Sequence, residues 1–280
     1  MARGARAADR DIARNAAAYD RVAATYDQVH PEIFNPVEQE RLAQAVRDVL
    51  GALGPGAAPA RVLDIGAGTG NLTGHFLAAD AVVTSADVSP GCLRLLAERF
   101  GATGRHAVQR IDGRSLHVFP DASFDVVACY SVLHHVPDYL ALVAEMARVA
   151  RPGGLVYCDH ERHDASWTDP ERDAFMHEAW VFPPKRWTRF LRPRNYWNRL
   201  RPLLAWRRWF DPRWMPEGDL HIWPDDHIEW GRLEARAREH GVAPAFVRDY
   251  LLYDAHFDRA AWERWKDRVT DYRMWVGRKA

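Results

Sequence analysis

Short apolar runs alternate with longer mixed stretches along much of this chain, the pattern of a parallel sheet with helices on its faces. Val62, Leu63 and Ile65 form the first run, and residues 81–87, 107–111, 124–131 and 155–159 form the next four. Each run is too short for a helix and is bounded by turn residues, so each reads as a strand. Residues 71–79 read as the helix after the first strand. Further on, residues 226–240 read as a helix stopped by Gly241, 246–253 as a strand, 258–269 as a helix and 272–277 as a last strand. Leu50 to Ala60, with its Gly, Ala and Pro residues, reads as a linker into the first strand.

The turn after the first strand carries the chemistry. Gly66, Gly68 and Gly70, with Ala67 between the first two, allow a sharp turn and a close approach of ligand to backbone. A strand, a glycine-rich turn and a helix N-terminus suit NAD and S-adenosylmethionine (SAM) alike. The spacing is Gly-x-Gly-x-Gly rather than Gly-x-Gly-x-x-Gly, and Asp64 lies inside the strand just before the turn. A carboxylate there suits a ligand ammonium, which SAM has and NAD lacks, and SAM carries no pyrophosphate.

The second strand ends in Asp87, followed by Val88, and the third ends at Asp112-Gly113. The fourth runs through Tyr130 and Ser131 into Val132-Leu-His-His-Val-Pro-Asp138, and Arg151-Pro-Gly-Gly154 introduces the fifth. On these residues the chain resembles the class I SAM-dependent methyltransferases, small-molecule type, over about residues 15–160 and again from about residue 227. The resemblance implies an α/β fold with a seven-stranded, mostly parallel sheet, helices on both faces, the last strand antiparallel, and a helical cap inserted after strand 5. It implies SAM as cofactor and S-adenosylhomocysteine (SAH) as product. The cofactor contacts it implies are Asp64, Gly66, Ala67, Gly68, Gly70, Asp87 at the ribose, Val88, Asp112 and Gly113 at the adenine, Tyr130 and Ser131. Tyr19-Asp20 and Tyr26-Asp27, seven residues apart, fall on one helical face. In similar enzymes a Tyr-Asp closes over the cofactor, which gives Tyr26 the methionine end of SAM; a packing stripe accounts for the spacing equally well.

Composition narrows the class. Basic and acidic residues both number 38, so net charge gives no argument for bulk nucleic-acid binding. The residues that mark methyltransferases of nucleic-acid bases, an Asn/Asp-Pro-Pro-Tyr segment or a Pro-Cys pair, are missing after the fourth strand, so nucleic acid is not the expected partner. Cys92, Cys129 and Cys158 sit in apolar patterns and read as buried free thiols. Met1-Ala-Arg-Gly-Ala-Arg has no following apolar run, and no stretch reaches the roughly 18 apolar residues of a membrane span. A cytoplasmic protein is expected.

All twelve tryptophans come after residue 166, nine of them between Trp167 and Trp230, which divides the chain. Residues 1–161 read as N-terminal helices and the SAM-binding core, 162–226 as a substrate cap, and 227–280 as the completion of the sheet. Between Phe182 and Phe210 stand nine basic residues and no acidic one, interleaved with tryptophans. Such a surface suits an anionic or glycosylated acceptor, a lipid-like acceptor or peripheral membrane contact, or simply packs on itself. Six prolines from 183 to 216 divide it into short helices and turns.

A sulfonium methyl is already activated, so the protein must align a nucleophile, exclude water and take up a proton. Bases cluster after the fourth and fifth strands: His134 and His135, then Asp159-His160-Glu161-Arg162-His163. His160 is the first candidate and His135 the second. The spacing of His160, Glu161 and His163 is not a recognised metal signature, and no metal is expected. The expectation is a methyltransferase for a small molecule, O-methylation ahead of C and N. The alternatives are a cyclisation or elimination that uses SAM as a bound charge, and a SAM-binding partner protein without catalysis.

Overall fold

The computed structural model describes residues 2–54, 59–181, 221–223 and 226–280. In chain order its elements are α1 (Ala2–Val22), α2 (Tyr26–Val29), α3 (Pro36–Ala52), β1 (Arg61–Ile65), α4 (Asn71–Ala78), β2 (Val82–Asp87) and α5 (Pro90–Phe100). Then come β3 (His106–Arg110), β4 (Phe124–Tyr130), α6 (Tyr139–Val149), β5 (Ala150–Arg162), α7 (Ala165–Thr168) and α8 (Glu171–Ala179). The chain closes with α9 (Trp230–Glu239), β6 (Val242–Tyr250), α10 (Arg259–Trp265) and β7 (Tyr272–Lys279).

One seven-stranded sheet runs β3-β2-β1-β4-β5-β7-β6, with β7 antiparallel to both neighbours and the other pairings parallel. Neighbouring residues on a strand face opposite sides, and both sides are buried. Val62, Val126 and Leu155 join a cluster with Leu42, Val46 and Phe76, while Leu63, Val127 and Val156 join one with Leu142, Met146 and Leu233. A strand covered on both faces must be apolar at successive positions, which is why these runs are continuous rather than alternating.

Helix starts follow local chemistry. Asn35 accepts from the N–H groups of Val37 and Glu38 (both 3.0 Å) ahead of Pro36, Ser89 caps α5 ahead of Pro90, and Asp138 accepts from Ala141 (2.9 Å) at α6. Strand order reverses between β1 and β4, so the chain leaving β1 turns toward β2 while the chain leaving β4 turns toward β5. The crevice between them is the usual ligand position of an open α/β sheet.

Several boundaries differ from the sequence reading. β5 spans Ala150–Arg162 rather than 155–159, α9 begins at Trp230 rather than 226, the strand expected at 246–253 is β6 at Val242–Tyr250, α10 stops at Trp265 rather than 269, and β7 runs on to Lys279 rather than 277. Gly241, at φ 75°, ends α9 and sends the chain straight into β6. Pro244 is accommodated because β6 is a sheet edge whose ladder shifts register between Pro244 and Phe246, where a missing N–H is tolerated.

The cap expected at 162–226 is described only in part, and the basic, tryptophan-rich stretch lies outside the described residues. Its start, α8, packs Phe175 and Ala179 against Leu251, Ala261 and Trp262 of the C-terminal segment. Its end returns to the core: Ile222 N donates to the His134 carbonyl (3.0 Å) and Trp223 Nε1 to that of Val136 (2.9 Å). All three cysteines are buried and free. Among the described residues, no helix is long and apolar enough to cross a membrane.

Candidate active site

The crevice holds a cavity floored by Gly66, Ala67 and Gly68, edged by Asp87 and Val88, and bounded beyond by Gly113, Arg114 and Ser115. Tyr130, Ser131 and Val132 form the β4 side, and Tyr19 and Tyr26 lie across it from α1 and α2. Gly66 sits at φ 64°, and a Cβ there would come within 2.6 Å of Val132 Cγ2. Both the backbone conformation and the space demand glycine. Asp87 is the only carboxylate lining this cavity among the described residues. Its oxygens accept the N–H groups of Gly68 (2.9 Å) and Ser89 (2.8 Å), while burial, outweighing those bonds, raises its pKa above the usual value. A glycine-built floor, one carboxylate at a strand end and apolar Val88, Ile111 and Leu116 nearby suit an adenosyl group.

Asp64, Gly70 and Asp112 do not line this cavity. Gly70 caps α4 at φ 95°. Asp112 is exposed and accepts the N–H groups of Arg114 and Ser115 (2.8 Å each), a turn that shapes the loop while Gly113 reaches the cavity. Asp64 is buried beneath the floor, where its carboxylate accepts from Thr73 Oγ1 (2.6 Å), itself bonded to Ser85 (2.7 Å). It ties β1 to α4 and β2 rather than facing an ammonium. Burial raises its pKa from 3.8 to about 7. A raised folded pKa contributes stability that is complete below the unfolded value and is lost as pH rises through the folded one. Asp64→Asn is therefore expected to gain thermal stability relative to wild type at pH 8 compared with pH 5. Its SAH affinity should stay within about threefold of wild type in a calorimetric titration, well under the tenfold that 1.4 kcal/mol represents.

The Tyr-Asp repeat divides its labour, though not on one helix, because α1 ends at Val22 and α2 begins at Tyr26. Both tyrosines line the cavity. Asp20 accepts from Ser89 Oγ and from Gly91 N (2.7 Å) at the start of α5, and Asp27 accepts from Thr69 Oγ1 (2.6 Å) and pairs with Arg99 (2.8 Å). The aspartates pin the N-terminal segment to the core and thereby hold the tyrosines over the crevice.

A second cavity, about 360 Å³, adjoins the first, and the two share Tyr19, Tyr26, Ile33, Ser131 and His135. His30, His134, His160 and His221 also line it. His160 sits at φ 61°, where the β5–β7 ladder shifts register, with its ring between those of Tyr130 (4.7 Å) and Tyr272 (4.5 Å). A bulge that re-aims a side chain and a strained backbone are both common beside functional sites. Neither ring nitrogen of His160 has a hydrogen-bond partner, and burial with Arg41 nearby presses its pKa down to about 3. The ring is neutral at physiological pH and a weak base.

Other neighbours in the sequence separate. Asp159 is held by Tyr157 Oη (2.6 Å), Tyr250 Oη (2.9 Å) and Arg41 (3.1 Å); burial alone would raise its pKa, but Arg41 and Tyr157 hold it below the usual value. Glu161 accepts from Val132 N (2.8 Å), Leu133 N (2.6 Å) and His134 Nδ1 (2.8 Å), while His163 bonds to Thr270 (3.1 Å). His135 Nε2 meets Tyr19 Oη at 2.9 Å. Instead of His160, Glu161 and His163, the structure converges His134, His135 and His221. Sequence reasoning passed over His221, since only the docking of Ile222 and Trp223 brings it to the β4 loop.

Residues 63–158 match the model of a family described as a methyltransferase domain. That segment is similar to a methyltransferase domain, and the sheet that contains it has the class I methyltransferase fold. A demethylmenaquinone methyltransferase of Thermobifida fusca is 41% identical over 100 residues, covering 35% of this chain and 42% of the relative. One of Mycobacterium sp. (strain KMS) is 36% identical over 146 residues, 51% and 58% of the two chains. The chain thus spans about half the length of these curated relatives. A SAM-dependent methyltransferase structure from Mesorhizobium loti superposes with a TM-score of 0.53 at 21% identity, over 84% of this chain and 96% of that one, which shows the shared fold.

Proposed function

We propose that this methyltransferase transfers the methyl group of SAM to a hydroxyl oxygen of a small, polar acceptor held in the second cavity. The observation that carries the reading is the shared wall: a nucleoside-shaped crevice and a polar chamber meet at Tyr19, Tyr26, Ser131 and His135. SAM supplies an activated methyl group, and the protein supplies position and a dry path. Asp87 receives the ribose hydroxyls, Val88 and Gly113 flank the adenine, and the turn from Gly66 to Gly68 bears the sugar and methionine chain. With Asp64 beneath the floor, Tyr26 and Ser131 face the methionine end.

His135, on the shared wall and oriented by Tyr19, activates the acceptor hydroxyl. His160, neutral and with both nitrogens unsatisfied, accepts a hydrogen bond from the acceptor and orients it. The relatives are named for demethylmenaquinone. Here the imidazoles and carboxylates of the second cavity favour a hydroxylated ring, such as a quinol, catechol or sugar.

His135→Ala is expected to lower kcat about 100-fold, the ordinary loss for an activating group. His160→Phe is expected to raise the acceptor KM about tenfold, roughly one hydrogen bond, with little effect on SAH binding. Steady-state kinetics separates the two. The reading itself is tested by supplying labelled SAM and a panel of quinols, catechols and sugars, then following label and SAH. A labelled, methylated product with stoichiometric SAH supports it; conversion to an isomer of the acceptor without SAH contradicts it.

A further inference from the structure

The second cavity has a feature that hydroxyl recognition alone does not require. The rings of His134, His135 and His221 lie with centroids 4.1, 4.8 and 4.9 Å apart, and one nitrogen from each falls within 4.8 Å of the others.

Each ring is also held from behind. Glu161, itself fixed by two backbone N–H groups, accepts from His134 Nδ1 (2.8 Å), and Asp226 accepts from His221 Nδ1. A carboxylate on Nδ1 makes Nδ1 the protonated nitrogen and Nε2 the basic one. Tyr19 meets His135 at Nε2 (2.9 Å) and fixes that ring from its side. Carboxylate–histidine pairs of this kind orient metal ligands.

We propose that His134, His135 and His221 bind a divalent first-row transition metal of the zinc class, whose open coordination position faces the acceptor chamber. Three neutral imidazoles favour zinc, cobalt, nickel, copper or iron over the hard, oxygen-seeking magnesium and calcium. Zinc–nitrogen bonds of about 2.0–2.1 Å in a tetrahedron need nitrogens about 3.4 Å apart, so nitrogens now within 4.8 Å of one another close by up to about 1.4 Å around the ion. Three protein ligands leave a position for solvent or substrate, the arrangement of reactive rather than structural zinc. All three histidines line the second cavity, so an acceptor oxygen can fill that position. Bound there, a hydroxyl gives its proton to water at a lower pKa, and the oxygen keeps the electron pair with which it attacks. His135 then activates the acceptor through the ion.

This inference rests on the acceptor-chamber reading, and its test separates the two. Tag-free, metal-stripped full-length chain is titrated with Zn²⁺ by calorimetry and with Co²⁺ by visible absorption, and the same preparation is titrated with SAH. One ion per chain is expected, with a Co²⁺ spectrum of four- or five-coordinate nitrogen ligation. His221→Ala should abolish the spectrum, and Asp226→Asn should weaken Zn²⁺ binding about tenfold, the lower range for loss of a ligand's supporting partner. Both variants should bind SAH like wild type, which certifies the fold. Normal SAH binding without a Co²⁺ spectrum, or metal binding indifferent to His221→Ala, overturns the metal site and leaves the methyltransferase reading. Histidine-dependent metal binding without SAH binding keeps the metal site and overturns the proposed function.

Discussion

Asp87→Ala is expected to weaken SAH binding about 100-fold while leaving the protein folded. The carboxylate stands at the end of β2 with its oxygens already oriented by the N–H groups of Gly68 and Ser89. Hydrogen bonds to a charged group contribute about 1.5–3 kcal/mol each, and on the proposed reading two ribose hydroxyls share this one, so a loss of about 3 kcal/mol, or about 100-fold, follows. Asp87→Asn keeps the shape and one acceptor oxygen and should fall between wild type and alanine. Calorimetric titration of the three proteins gives the affinities, and thermal unfolding checks that the loss is local. Equal affinities across the series would remove the ribose from Asp87.

The second large effect concerns stability. Arg41 pairs with Glu38 (2.7 Å) and Asp159 (3.1 Å) and lies 3.9 Å from the centroid of the Tyr250 ring. Glu38 and Asp159 are almost wholly buried. Arg41→Met keeps much of the volume and leaves those carboxyl groups without their cation. Breaking one side of a buried ion pair costs about 3–5 kcal/mol, so the melting temperature should fall by about 10 °C. Asp159 has a folded pKa held below its ordinary value, so its contribution is present above the unfolded pKa and is lost as pH falls through the folded one. The gap between wild type and variant should be full at pH 7 and shrink below about pH 4. Denaturant unfolding at both pH values measures it. Because His160 follows Asp159 in β5 and lines the second cavity, the variant should also raise the acceptor KM.

Strands and turns were legible because their causes are local. A strand buried on both faces reads as a continuous apolar run, and Gly66 sits at φ 64°, a backbone conformation that favours glycine wherever that turn occurs. The helix caps at Asn35, Ser89 and Asp138 are also local signals, as was the turn at Asp112. β6 was displaced because edge position, which excuses Pro244, is a property of the assembled sheet.

The site divided along the same line. Asp87, Val88, Gly113 and Ser131 follow directly on strands or turns and line the cavity. Asp64 sits inside β1, and whether its side chain faces ligand or core depends on α4, which supplies Thr73. His160 was read as a base from its intrinsic pKa, whereas its burial and Arg41, 119 positions earlier, decide its protonation. His160, Glu161 and His163 are neighbours in the sequence but go separate ways where the β5–β7 ladder shifts register. The convergence of His221 on His134 and His135 exists only in three dimensions.

A crystal structure of the full-length chain with SAH tests the central claim most directly. The account predicts the adenosine over Gly66–Gly68 with its ribose hydroxyls on Asp87, and the sulfur at the wall formed by Tyr19, Tyr26, Ser131 and His135, facing the second cavity. SAH bound elsewhere, or seated with its sulfur turned away from that wall, would contradict it.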